Sequence, residues 1–178
     1  DGYYAARDFD FGYLVTIDGD MQLDGGVNTR NDVRIDQGFT LKGNFTGSGS
    51  IDYVEIGKDW NIDGPVYLYG GNDTLKLGTT ITDSSLTYFY AGAGTDRLEL
   101  DINADDLSSF EAAARSVGWD DLGNGSWNAN SLDLNWNGMY LFDFEDIQIN
   151  VIGLNEAPII VAEGTTNTGN VTELPAGD

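Results

Sequence analysis

The chain has 178 residues, with 30 acidic against 8 basic side chains for a formal net charge of −22, and it contains neither cysteine nor histidine. So acidic a chain does not suit nucleic acid or an anionic membrane surface, both of which call for clustered Lys and Arg, and the missing side chains exclude disulfides, thiol catalysis, common zinc sites and a Ser–His pair. A content of 40% hydrophobic and 12% aromatic residues argues against disorder and fits one domain with a sizeable core.

The sequence opens at Asp1-Gly2-Tyr3-Tyr4 without a signal peptide, as a piece of something longer would. No stretch is long and apolar enough to span a membrane. From about Tyr13 to Leu100 it predicts short strands bounded by Gly, Asn and Asp, among them Tyr13-Leu14-Val15-Thr16-Ile17, Phe39-Thr40-Leu41, Val66-Tyr67-Leu68-Tyr69 and Leu86-Thr87-Tyr88-Phe89-Tyr90. An Asp recurs ahead of alternating apolar residues. Asp32 leads Val33-Arg34-Ile35, Asp52 leads Tyr53-Val54-Glu55-Ile56, Asp73 leads Thr74-Leu75-Lys76-Leu77 and Asp96 leads Arg97-Leu98-Glu99-Leu100, in steps of 20, 21 and 23. A period in this range marks a stacked-repeat architecture. Carboxylates returning at one corner would repel one another unless a cation sat between them. The expected fold is mainly β, a calcium-bound β-solenoid or β-roll-like coil with one short helix and a β-hairpin region.

The helix is predicted to open at Asp105-Asp106-Leu107, to line one face with Leu107, Phe110, Ala113, Ala114 and Val117, and to end at Gly118. It would cover the open end of the coil. Asn137-Gly138 signals a tight hairpin, and residues 144–151 a further strand whose Asp146-Ile147-Gln148-Ile149 echoes the Asp-led motif. A boundary is placed so that residues 1–153 form the coil domain and 154–178 a linker or the start of a following module.

Calcium takes about six to eight oxygens from carboxylates and carbonyls. Ala91-Gly92-Ala93-Gly94-Thr95-Asp96-Arg97-Leu98-Glu99 matches the nonapeptide G-G-x-G-x-D-x-U-x at all but its first position, and Gly70-Gly71-Asn72-Asp73-Thr74-Leu75 is a shortened copy. Gly71, Asn72, Asp73, Gly92, Gly94, Thr95 and Asp96 are therefore candidate metal ligands, together with Asp52 and Asp101. Asp18-Gly19-Asp20 with Asp24 is either another calcium loop or a polar β-turn. Asp8 and Asp10 repeat that spacing.

Ligand contacts are sought elsewhere. Tyr88 and Tyr90 share one face of their strand, where they either cover a ligand or form a structural stack. Arg97 is positioned to meet an anionic group. Trp119, Asp120 and Asp121 open a Gly-rich segment that reads either as a pocket or as a solvated loop.

The Gly-Asp turns resemble those of the RTX family of secreted bacterial proteins, whose repeats fold as calcium-bound parallel β-rolls. Phe144-Glu145-Asp146-Ile147 is similar to strands near RTX ends, and Asn155-Glu156-Ala157-Pro158-Ile159-Ile160 resembles the opening of Ig-like or cadherin-like extender modules. The chain departs from the family in its longer steps and in having one Gly-Asp corner per turn. The resemblance implies several bound Ca²⁺ ions and a calcium-dependent ligand-binding module of a large secreted adhesin at the bacterial cell surface. The implied partner is a peptide or protein C-terminus on a host or neighbouring cell, its carboxylate meeting calcium; a glycan is the alternative, with Trp60, Trp119 and Trp127 as exposed stacking platforms. The module is expected to be monomeric within its longer chain. A polysaccharide lyase or hydrolase on a β-helix is the enzymatic rival, disfavoured by the lack of His and the scarcity of bases. A calcium-stiffened spacer is disfavoured by the helix and the irregular loops.

Overall fold

The computed structural model describes residues 8–12, 14–23, 30–78, 87–129 and 133–153; it is mainly β, with three sheets and one helix among these residues. The chain visits the sheets in a fixed order. A first pass runs through β1 (Asp8–Phe11), β2 (Thr16–Ile17) and β3 (Met21–Gln22). A second follows as β4 (Arg30–Gln37), β5 (Thr40–Leu41) and β6 (Phe45–Thr46). A third comprises β7 (Ile51–Lys58), β8 (Asn61–Ile62) and β9 (Val66–Tyr67). Next come β10 (Thr74–Leu77), β11 (Thr87–Tyr90) and β12 (Arg97–Asn103).

Each strand pairs in parallel with its counterpart one pass later. The long sheet takes β1-β4-β7-β10-β12, a second sheet β3-β6-β9-β11 and a third β2-β5-β8. Asp32 pairs with Tyr53, Tyr53 with Thr74 and Thr74 with Arg97. This corrects the sequence-based register. The step from Asp32 to Asp52 is one residue short, and the residue opposite Asp52 is Asn31. Because side chains alternate faces along a strand, that single residue moves Asp32 from the corner to the outer face.

The alternation dictated by the sequence sets the core. Val33, Ile35, Val54, Ile56, Leu75, Leu77, Leu98 and Leu100 point inward from the long sheet, meeting Phe45, Val66, Phe89 and Leu141 from the second and Leu41 and Ile62 from the third, all buried. Trp60 lies at 2% exposure with its ring edge-on to Phe89, 5.7 Å between centroids. Its indole N–H donates to the Gly78 carbonyl (3.1 Å), which satisfies the one polar atom of an otherwise apolar group.

After β12 the chain leaves this order. It forms α1 (Leu107–Ser116), the hairpin of β13 (Asp120–Gly123) and β14 (Ser126–Asn128), then β15 (Leu134–Trp136). It rejoins the second sheet with β16 (Met139–Phe142), parallel to β11, and the long sheet with β17 (Asp146–Ile152), parallel to β12. Arg97 now pairs with Asp146, more than twice the earlier step along the chain. The excursion supplies antiparallel end strands, β14 on β17 and β15 on β16. Both hairpins turn on Asn-Gly, with φ of 53° and 77° at Asn124-Gly125 and 50° and 81° at Asn137-Gly138, as a turn with two left-handed residues demands. The segment after Trp119, left open above between a pocket and a solvated loop, is thus a hairpin.

The expected helix is present, with Phe110 and Ala114 buried and Leu107, Ala113 and Val117 against the core. Asp106 occupies the N-cap without a side-chain capping bond. At the other end Gly118 takes φ +90°, its N–H donating to Arg115 O (3.2 Å) and that of Trp119 to Ala114 O (3.1 Å), a paired closure that left-handed Gly permits. Phe110 meets Trp127 of β14 and Trp136 of β15 edge-on, so the helix bridges antiparallel strands of two sheets. Among the described residues no helix is long and apolar enough to cross a membrane. The expected boundary near 154 falls next to residues 154–178, which lie outside the described residues.

Candidate functional site

Four successive turns lead from the second sheet into the long sheet, ending at Asp52, Asp73, Asp96 and Glu145. Their acidic residues, with Asn31 at the start, hold matching positions on neighbouring passes. Backbone amides link them. The N–H of Asp52 donates to Asp73 Oδ1 (2.8 Å), that of Asp73 to Asp96 Oδ1 (2.7 Å), and that of Asp96 to Glu145 Oε2 (2.7 Å). Asn31, Asp52, Asp73 and Asp96 are at most 1% exposed.

The turns differ in how they treat the second carboxylate oxygen. Asp52 is fully served: the Ser48 N–H donates to Oδ2 (2.6 Å), and the Ser48 hydroxyl (3.0 Å) and Asn31 amide (2.5 Å) donate to Oδ1. Where the first turn has Ser48, the turns of Asp73 and Asp96 have Tyr69 and Gly92, and neither offers a short hydroxyl. Asp73 Oδ2 and Asp96 Oδ2 are buried without a partner. Burial pushes the Asp73 carboxyl up to about 7 and the Asp96 carboxyl up to about 6, only partly offset by the amide each accepts; charge repulsion from Asp52 and Asp96 on the first, and from Glu145 and Asp143 on the second, adds to the rise. A buried carboxylate needs a proton or a cation.

The Gly positions are set by crowding. A Cβ on Gly94 would lie 1.5 Å from the Gly71 carbonyl oxygen, and one on Gly92 2.1 Å from that of Tyr69. The backbones of successive turns are thus in contact, with Gly71 and Gly94 at φ of 136° and 156°. Asn72 Oδ1 accepts from Thr95 N–H (3.1 Å), tying the same two turns on their exposed side. Gly71, Asn72, Asp73, Gly92, Gly94, Thr95 and Asp96 therefore come together as the sequence pattern implies. Two free carboxylate oxygens among Gly-turn carbonyls are a donor set that fits calcium's preference for hard oxygens.

Other expected site residues lie apart. Asp101 is on the outer face of β12, accepting from the Asn150 amide (3.0 Å). Asp18 and Asp20 are exposed in the turn between β2 and β3; Asp20 accepts from the Asn44 N–H (2.8 Å) and Asp18 meets Lys42 (3.5 Å), an arrangement that a polar turn accounts for. Asp24 and the Asp8 side chain are outside the described residues.

The six candidate ligand-binding residues do not form one pocket. Arg97 on the long sheet is engaged by Asp146 (2.5 Å) and Glu99 (3.0 Å). Trp119 is buried against Phe110. Asp120 and Asp121 lie on the exposed end hairpin, where Asp121 pairs with Arg115 (2.9 Å). Tyr88 and Tyr90 belong to a stack on the second sheet, with Tyr90 between Tyr67 and Phe142 at 4.9 and 4.6 Å. The expectation that Trp60, Trp119 and Trp127 stand exposed is overturned, since they are 2%, 4% and 2% exposed and fill the core. Sequence reasoning missed Asn31, Ser48 and Glu145. The first and last are recoverable by stepping one pass along the register from a recognised Asp, and Ser48 by looking back within the turn that ends at Asp52.

No protein-family model matches the chain, and comparisons with curated proteins and with solved structures find no match either.

Proposed function

We propose that the chain is a calcium-dependent ligand-binding module of a large secreted bacterial adhesin of the RTX type, with its parallel passes wound as a β-solenoid. The observation that carries this reading is the pair of buried, unpartnered oxygens, Asp73 Oδ2 and Asp96 Oδ2, in successive Gly turns. Asp73 and Asp96 hold the cation in this reading, and turn carbonyls complete its shell. Calcium both relieves the ladder's self-repulsion and offers positive charge on a −22 chain. That charge suits a carboxylate, and the ligand is a peptide or protein C-terminus on a target cell; the module itself is not catalytic. Burial of Trp60, Trp119 and Trp127 weighs against the glycan alternative.

The test is capture of peptides with free and amidated C-termini, in calcium and in EDTA. Calcium-dependent capture of the free-carboxyl set supports the reading. Capture that survives both EDTA and amidation overturns the mechanism, and calcium-dependent folding with no peptide capture reduces the module to a sugar binder or spacer.

A further inference from the structure

The outward residues of the second sheet are Gln22, Thr46, Tyr67, Tyr88, Tyr90, Asn135, Tyr140 and Phe142, none of them charged. Tyr67, Tyr90 and Phe142 form one column with centroid spacings of 4.9 and 4.6 Å; Tyr88 and Tyr140 form a second, 4.8 Å apart. The columns stand 6.4–6.5 Å apart, and the stacked planes lie within 16° of each other. Parallel rings this close must overlap face to face. Tyr90 is covered on both faces and each of the other four rings on one by its column neighbour, with Tyr69 stacked beyond Tyr67 at 5.9 Å, so the array presents mainly ring edges and phenol groups. The phenols of Tyr67, Tyr88, Tyr90 and Tyr140 have no hydrogen-bond partner among the described residues.

We infer that this face docks a short proline-rich segment of another polypeptide, without acidic residues, in the polyproline II conformation. Size argues for a segment. The array spans two strand spacings by one ring-to-ring step, far below the roughly 800 Å² per partner that a stable pair of folded proteins needs. Chemistry argues for polyproline II, whose carbonyls have no internal hydrogen bonds and meet donors in the free phenols. The repeat agrees as well: three residues rise about 9.3 Å, against successive spacings of 4.9 and 4.6 Å along the Tyr67 column. Charge argues against acidic partners, since the neutral face sits on a chain of net charge −22. Tyrosine also contributes rigid amphipathic contact at low entropic cost, the more so when stacking already fixes the ring.

The experiment is a titration of the calcium-loaded protein with octaproline acetylated and amidated at its ends, followed by tyrosine fluorescence and NMR. Saturable binding is expected. The combined Tyr67→Phe, Tyr88→Phe and Tyr90→Phe substitutions, which keep the rings and delete the phenols, weaken it roughly tenfold. Thr46→Glu, which sets a charge at the end of the column, weakens it as well. No binding to octaproline, equal binding by both variants, or binding of a cello-oligosaccharide in its place overturns the inference. Blocked ends separate this face from the carboxylate contact: capture of free-carboxyl peptides without octaproline binding sinks the inference and leaves the proposed function standing.

Discussion

The outer faces of the long sheet and of the second sheet are built on the same parallel register, yet one is a grid of ions and the other, among the described residues, has none. On the long sheet Arg34, Glu55, Lys76 and Glu99 fall in one column, each paired with the next across a strand boundary. Their signs alternate, and Lys76 meets Glu55 at 2.6 Å. Five of the chain's eight basic residues, Arg30, Arg34, Lys58, Lys76 and Arg97, lie in strands of this sheet. An in-register parallel sheet stacks like positions about 4.8 Å apart, so a charged column survives only if its signs alternate. The second sheet solves the same problem with rings, which attract their own kind. The scarce cations sit where acidic strands need them, which frees the aromatic face to be neutral.

The largest expected effect concerns the corner where the two faces meet. Without metal, burial keeps protons on Asp73 and Asp96 of the folded protein up to about 7 and about 6, whereas the unfolded chain releases them near its ordinary 3.8. Their stabilising contribution is therefore complete below 3.8 and is lost as pH rises through about 6 to about 7, each unit being worth about 1.4 kcal/mol. Denaturant unfolding in EDTA, followed upward from pH 5 to stay clear of the pI of about 4.1, is expected to show falling stability. On the proposed calcium reading, added Ca²⁺ is expected to abolish the fall by holding the ionised carboxylates. A flat profile in EDTA would remove the ladder as a titrating element.

On the aromatic face, Tyr90→Ala removes a ring stacked on both sides and is expected to cost about 2 kcal/mol, with little dependence on salt. On the charged face, Lys76→Glu completes a line of three acids with Glu55 and Glu99. Its cost is smaller, about 1 kcal/mol, and shrinks on adding 0.5 M salt because these groups are part-exposed. Unfolding midpoints at two salt concentrations check both. Equal salt dependence of the two variants would erase the distinction between the faces.

Much of this was legible in the sequence. Asp52, Asp73 and Asp96, the helix face on Phe110 and Ala114, the Asn137-Gly138 hairpin and the strand after Phe144 all follow from local pattern. Register does not. Asn31 and Asp32 are adjacent, both polar, and only the pairing of Val33 with Val54 decides which faces inward. The tryptophans were misplaced because their partners, Phe89 for Trp60 and Phe110 for Trp119 and Trp127, belong to other elements of the chain and meet them only once the sheets have paired. The scatter of Tyr88, Arg97 and Trp119 over three places has the same origin. Strand content reports that a residue is in a sheet, and long-range strand pairing decides which sheet.

The long step between Arg97 and Asp146 also has a consequence in time. Each early pass pairs with the one just before it, so it can add to its predecessor as the chain emerges. The last cannot; β17 reaches β12 only after the helix and the intervening strands β13 to β16 have been made, and pairings of long separation are slow to form. Until then β12 presents a bare edge to any other chain. The final strand is thus both the bridge from the parallel strands to the antiparallel hairpin and the seal on a nascent chain's most adhesive moment.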